Sequence, residues 1–182
     1  MNRGSFDKLS LGFLFVLIDF RIQGFDILPD IIGYVLFAIG FSRLTAYSDY
    51  FRKASYANIP MLIISLFSIY EKPAQDSGIT FGPLGLMGIP LSIATFILSL
   101  LVVYYLFMGI IEMAQSKGLG EIVQEADTRW KQYLYLQLAG LLIFIFIFVP
   151  LLGIAFIIGL LIISVVLTFA IMKFMKICGE HL

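Results

Sequence analysis

Hydrophobic positions along this chain of 182 residues gather into long runs and seldom alternate with polar ones. Runs of about 17–25 apolar residues have the length of a transmembrane helix. They predict spans over residues 9–25, 29–47, 56–70, 88–114, 134–149 and 154–177. Asp19 and Arg21 interrupt the first, and the third, YANIPMLIISLFSIY, is short. Residues 134–178 form one stretch that would be roughly 67 Å long as a single helix. A hydrocarbon core is about 30 Å thick, so the stretch must fold back. The segment VPLLG, with Pro150 and Gly153, is the expected turn, because proline breaks the hydrogen-bond ladder and glycine permits the bend. The fold class read from this pattern is all-α, a bundle of six transmembrane helices in one integral membrane domain over residues 1–182.

Composition agrees with the pattern. The chain is 60% hydrophobic and 13% charged, where a soluble domain carries about 25% charged residues. Its mean hydropathy is +1.00. So few charges cannot dress a surface in water, and the expected solvent is lipid. A formal net charge of zero excludes a whole-chain basic footprint for nucleic acid. The lone cysteine, Cys178, excludes a disulfide framework and a multi-cysteine metal site.

The placement of charge says more than its sum. With six spans, the N-terminus, the 43–55 and 114–132 linkers and the C-terminus share a side. That side holds Arg3, Lys8, Arg43, Arg52, Lys53, Lys117, Arg129, Lys131, Lys173 and Lys176, and the other holds only Arg21 and Lys72. Basic residues favour the cytoplasmic side, so both termini are expected there. Tyr47, Tyr50, Tyr56, Trp130, Tyr133 and Tyr135 fall near the same helix ends, where amphipathic rings anchor at the interface. Asp19 and Arg21 stand where a signal peptide would need small residues, so the first segment reads as a retained span.

Two linkers carry patterns of their own. In residues 117–132, Ile122, Ala126 and Trp130 recur at a spacing of four, and Glu125–Arg129 and Asp127–Lys131 are acid-before-base pairs. This predicts a short amphipathic helix on the cytoplasmic membrane surface, or a docking face for a partner. The outer loop 71–90 is rich in Gly and Pro, with an almost uncharged second half. It reads as a packed surface loop or as a segment dipping into the outer leaflet.

The candidate site is the outer end of the first hairpin, IDFRIQGFDILPDIIGY, which holds Asp19, Arg21, Asp26 and Asp30. Ionisable groups at membrane depth are functional candidates by default, and structural ion pairing is the competing account. Asp19 and Arg21 lie on different helix faces, so Arg21 with Asp26 or Asp30 is the expected pair. Asp30 at a helix start also suits the positive end of the dipole. Arg43 and Glu112 are expected at solvated helix ends. Gly33 with Gly40, and Ala155 with Gly159, suit close helix packing. Cys178 reads as a packed or lipid-facing thiol. His181 is the sole histidine, and no HExxH, GxSxG or Walker sequence is present. No metal site and no cofactor are expected.

FDILPDIIGYVLFAIGFSRL resembles a hairpin motif of uncharacterised small polytopic membrane proteins of Gram-positive bacteria, over roughly residues 9–47. The resemblance implies a bacterial cell-membrane protein and carries over no catalytic residues. The architecture is similar to the substrate-binding components of energy-coupling-factor transporters, although LSLGFLFVLIDF lacks the repeated alanines of their docking helix. The leading functional expectation is a non-enzymatic accessory or regulatory component of a membrane complex, with the bilayer and a partner membrane protein as its partners. The alternatives are a solute-binding transport protein with an outward-facing site near Asp19 and Arg21, and an intramembrane enzyme using carboxylates. The charge asymmetry makes a direct prediction. With Cys178→Ser as background, Ser77→Cys should react with an impermeant maleimide in intact cells, and labelling only after lysis would refute the orientation.

Overall fold

The computed structural model describes residues 3–17, 21–22, 25–26, 30–68, 88–143 and 150–182, with backbone alone at 17, 21, 22, 25, 26, 67, 68, 88, 89 and 150. The described chain is helical: α1 (Arg3–Leu17), α2 (Asp30–Leu44), α3 (Asp49–Ser68), α4 (Gly88–Ser116), α5 (Gly120–Leu141) and α6 (Pro150–His181). Two short strands, β1 (Arg21–Ile22) and β2 (Phe25–Asp26), pair antiparallel between α1 and α2. The all-α expectation therefore holds. Each helix packs on the next and α6 packs on α1, so the six close into a ring.

Phenylalanine fills the centre of the ring. Phe107 of α4 lies 6.4 Å from Phe13 of α1 and stacks at 6.2 Å on Phe174 of α6. Phe13 in turn meets Phe37 of α2 edge-on at 5.2 Å. All four rings are buried. Phe107 thus bridges helices that are not neighbours in the ring.

Glycine sets how closely α1 and α2 approach. A Cβ at Gly33 would lie 2.6 Å from Val16 and 2.9 Å from the Gly12 carbonyl oxygen. One at Gly40 would lie 2.7 Å from Leu9 and 3.2 Å from the Ser5 carbonyl oxygen. The expected close-packing role of Gly33 and Gly40 is thus present. That of Ala155 and Gly159 is not: Ala155 is exposed, and a Cβ at Gly159 would meet nothing within 4 Å. The motif supplies room for a neighbour, but no helix among the described residues takes it.

One end of the ring gathers the polar connections. Ser48 caps α3, its hydroxyl accepting from the Tyr50 N–H at 3.1 Å and donating to Glu112 at the end of α4. Lys117 donates to the main-chain oxygens of His181 (3.3 Å) and Leu182. A Cβ at Gly179 would lie 3.2 Å from Arg3 Cα, and one at Gly4 would lie 3.8 Å from the Arg43 guanidinium. The start of α1, the end of α6 and the α2–α3 and α4–α5 turns therefore share one end, as the sequence reading requires.

Several boundaries move. The expected third span begins at residue 56, whereas α3 begins at Asp49, because the capped polar first turn is helical although it is not apolar. The expected amphipathic linker 117–132 is no separate surface helix. Gly118 (φ 69°) ends α4: the Leu119 N–H reaches the Ala114 carbonyl at 2.9 Å and the Gly118 N–H reaches Gln115 at 3.0 Å. Nothing after Gly120 breaks the helix, so α5 runs on into the fifth apolar run. Pro150 is the first residue of α6, where its missing N–H costs nothing. Gly153 lies within α6 and not in the turn, and residues 144–149 and most of the 71–90 loop lie outside the described residues.

Two of the helices, α4 and α6, are long and apolar enough to cross a membrane. At 15 residues each, α1 and α2 are only about 22 Å long. The apolar outer surface nevertheless extends round the whole ring. Leu11, Ile32, Ile63, Ile97, Leu138 and Leu151 are exposed on α1 to α6 in turn, Leu151 at 81%. So many exposed large hydrophobic side chains are rare on a monomer in water. The glycine geometry gives a paired prediction. Gly33→Ala should destabilise the protein by about 1–3 kcal/mol through overpacking. Gly159→Ala should be neutral or stabilising by up to about 1 kcal/mol. Thermal melting in detergent reads both, and equal effects would contradict the packing described.

Candidate functional site

The sequence pointed to the outer hairpin. Asp19 lies outside the described residues. Arg21 and Asp26 are opposite each other in the antiparallel backbone register of β1 and β2. Asp30 opens α2 and is half-buried, at the positive dipole end proposed for it. One helical turn on, Tyr34 shares its face, and the two groups interact electrostatically.

Tyr34 leads into a polar seam that sequence reasoning missed. Asn58 of α3 is 0% exposed, and its amide donates to the Tyr34 carbonyl oxygen at 2.8 Å. Its Oδ1 is buried with no donor among the described residues. Tyr133 of α5, only 1% exposed, lies in the neighbourhood of Tyr34. The Gln137 amide donates to the Tyr133 hydroxyl at 2.8 Å, and that hydroxyl bonds the Ser99 side chain on α4. An amide N–H can only donate, so the Tyr133 oxygen accepts from Gln137. The Ser99 hydroxyl also donates to the Phe96 carbonyl of its own helix at 2.8 Å. These bonds form a chain from α5 to α4.

The reason for this arrangement is the apolar surround. A buried hydroxyl or amide left unpaired costs about 1–3 kcal/mol, so polar side chains seek one another. Each lies one turn from another polar group or opposite one on a facing helix. The signal was present in the sequence as Asn58 inside YANIPMLII and Gln137 inside LYLQLAGL, polar amides within apolar runs.

Other expectations sort cleanly. Tyr47, Tyr56 and Tyr135 are exposed, as interfacial anchors require. Tyr133 is no anchor, since its ring is in the core. Trp130 packs edge-on against Tyr104 of α4 at 5.3 Å, and Ile122 and Ala126 are buried. The apolar face of residues 117–132 is therefore turned into the protein and not onto a membrane surface. Its ion pairs form as expected, Glu125–Arg129 at 3.1 Å and Asp127–Lys131 at 2.6 Å. Hydrogen bonding to Asp127 raises the Lys131 pKa. Arg43 and Glu112 are exposed, and Cys178 is buried.

Chemically, the seam offers hydroxyls and amides with one carboxylate, Asp30, at its outer end. Among the described residues no group of three or more His, Cys, Asp or Glu is placed to hold a metal. No protein-family model matches the chain, and no curated protein or solved structure shows significant similarity to it. The hydrogen-bond chain predicts coupling. Tyr133→Phe should cost about 1–3 kcal/mol of stability, because Gln137 and Ser99 lose their shared partner. Gln137→Leu should cost less on that background than alone, with a coupling above about 0.5 kcal/mol in unfolding experiments. Strict additivity would rule the chain out.

Proposed function

We propose that this chain is a six-span protein of the bacterial cell membrane, with both termini in the cytoplasm, acting as a non-catalytic accessory component of a membrane complex. The observation that carries the reading is the inversion of the apolar surface. Large aliphatic side chains point outward on all six helices, while the centre is closed by Phe13, Phe37, Phe107 and Phe174. A ring that is apolar outside and filled inside suits lipid contact and helix–helix association. It leaves no central path for a solute among the described residues. The gathering of the 3, 43 and 117 regions at one end supports a cytoplasmic face built from the basic residues of Arg3, Arg43 and Lys117.

A second reading, a solute-binding transport component, is favoured by one feature. The seam from Asp30 through Tyr34 to Tyr133 runs inward from the outer hairpin, and Asn58 retains a buried acceptor. One experiment separates the two. Tagged chain is cross-linked in its native membrane, extracted in mild detergent and weighed. A stoichiometric membrane partner joined through defined residues is expected. Isolation only as a lone monomer, with a melting temperature raised by a small polar solute and the rise lost in Arg21→Ala, would overturn the accessory reading in favour of the second.

A further inference from the structure

A groove of about 420 Å³ opens between α5 and α6. That volume lies within the range of ligand pockets, roughly 300–1,000 Å³. Its lining is polar at one end, with Arg129 and Gln132, and apolar beyond, with Ala139 and Leu160 at the far end and Leu167 and Ala170 nearer Arg129. From Arg129 to Ala139 α5 rises about 15 Å, half of a hydrocarbon core about 30 Å thick. The groove therefore has the length of one leaflet.

Two of its wall residues, Ala139 and Ala170, are small among larger ones such as Tyr135, Leu136 and Ile163. Ala139 and Ala170 face it, and a Cβ at Gly140 or at Gly159 would meet nothing within 4 Å. On the α1–α2 side of the ring, glycine brings helices into contact; here, small residues leave space. A volume of about 420 Å³ is too small for a helix about 10 Å across and about 15 Å long, whereas an extended hydrocarbon chain fits it.

The polar end selects charge. Arg129 is fixed by Glu125 at 3.1 Å and by Gln132 at 3.0 Å. Its Nε is buried with no acceptor among the described residues. Lys173, one turn beyond Ala170 on α6, is exposed on the same helical face. Two cations against the single carboxylate of Glu125 leave this end positive. The Arg129 side chain is 24% exposed and each terminal nitrogen carries two N–H groups, so it can donate to a phosphate beside its bonds to Glu125 and Gln132, as a lysine can.

We infer that this groove holds one anionic phospholipid of the cytoplasmic leaflet, with its phosphate on Arg129 and Lys173 and an acyl chain between α5 and α6. The inference rests on the membrane reading above. Arg129 lies toward the end of the bundle assigned to the cytoplasm, at headgroup depth, and the apolar walls run from it into the bilayer.

The test uses the full chain extracted in mild detergent, with phosphatidylglycerol and phosphatidylcholine of equal chain length as probes and native mass spectrometry as readout. One phosphatidylglycerol should be retained, preferred about tenfold, because the choline ammonium of the other lipid sets a third positive charge beside Arg129 and Lys173. Arg129→Gln should remove the preference. Glu125→Gln breaks the same ion pair but keeps the guanidinium, so it should retain the preference. Ala139→Leu with Ala170→Leu should fill the groove and abolish retention of either lipid, with helicity and melting confirming a folded protein. Equal retention of both lipids by the unaltered chain, or unchanged retention in the filled variant, would overturn the site. So would loss of the preference in Glu125→Gln as well as in Arg129→Gln. Flotation with phosphatidylcholine vesicles is scored separately. A chain that does not float defeats the membrane reading, whereas one that floats and shows no lipid preference defeats only the lipid site.

Discussion

Apolar outward faces on six helices leave the polar groups of this chain only two places to go. They must be carried to an end of the bundle or be paired inside it, since an unpaired polar group in an apolar surround costs several kcal/mol. The charged residues follow the first route. Arg3, Arg43, Glu112 and Lys117 collect at one end, joined through Ser48 and the last residues of α6. The uncharged polar residues follow the second, and the chain from Gln137 through Tyr133 and Ser99 to the Phe96 carbonyl is the result. Satisfying the Tyr133 hydroxyl takes groups from both α4 and α5, so the need for a partner also fixes how those helices face each other.

The dry centre follows from the same constraint. With polar groups spent on the seam and the end, the remaining interior is aromatic. Phe107 reaches both Phe13 and Phe174, and so ties α4 to α1 and α6 across the ring. Close-packed interiors have low compressibility and resist opening. A centre of this kind favours a protein that presents its outside to partners over one that passes a solute through its middle. The seam lies to one side of that centre, which is why it remains the best support for the rival reading.

Much of the architecture was legible because hydrophobic runs and breakers are local signals. Pro150 announces the start of α6, and Gly33 and Gly40 announce a tight contact. The errors fall where a local signal has two structural meanings. Residues 117–132 have an amphipathic period, but the period does not say whether the apolar face meets lipid or protein, and Tyr104 decides it by receiving Trp130. Tyr133 resembles an interfacial anchor by its position near a chain of charges, yet Gln137 and Ser99 give its hydroxyl partners and allow burial. The start of α3 was missed because a helix capped by Ser48 needs no apolar first turn. Of the four candidate site residues, only the backbone register of Arg21 with Asp26 and the helix start at Asp30 bear on the expectation.

Small residues show the limit of sequence most clearly, and they also divide the ring into unlike sides. Gly12, Gly33 and Gly40 sit where any side chain would collide, so α1 and α2 are locked. Gly140 and Gly159 have empty space before them, and Ala139 and Ala170 line a groove. Spacing alone cannot tell these cases apart, because a small residue permits contact without requiring it. What decides is whether the facing helix supplies a matching ridge. On α2 Phe37 and on α1 Leu9 do so; between α5 and α6 nothing among the described residues does. Dispersion contacts are lost where a gap stays unfilled, so an empty groove is costly and a mobile acyl chain is the cheapest available filling in a bilayer. On this argument the α5–α6 side is where lipid completes the packing, and the α1–α2 side is where the chain completes it by itself.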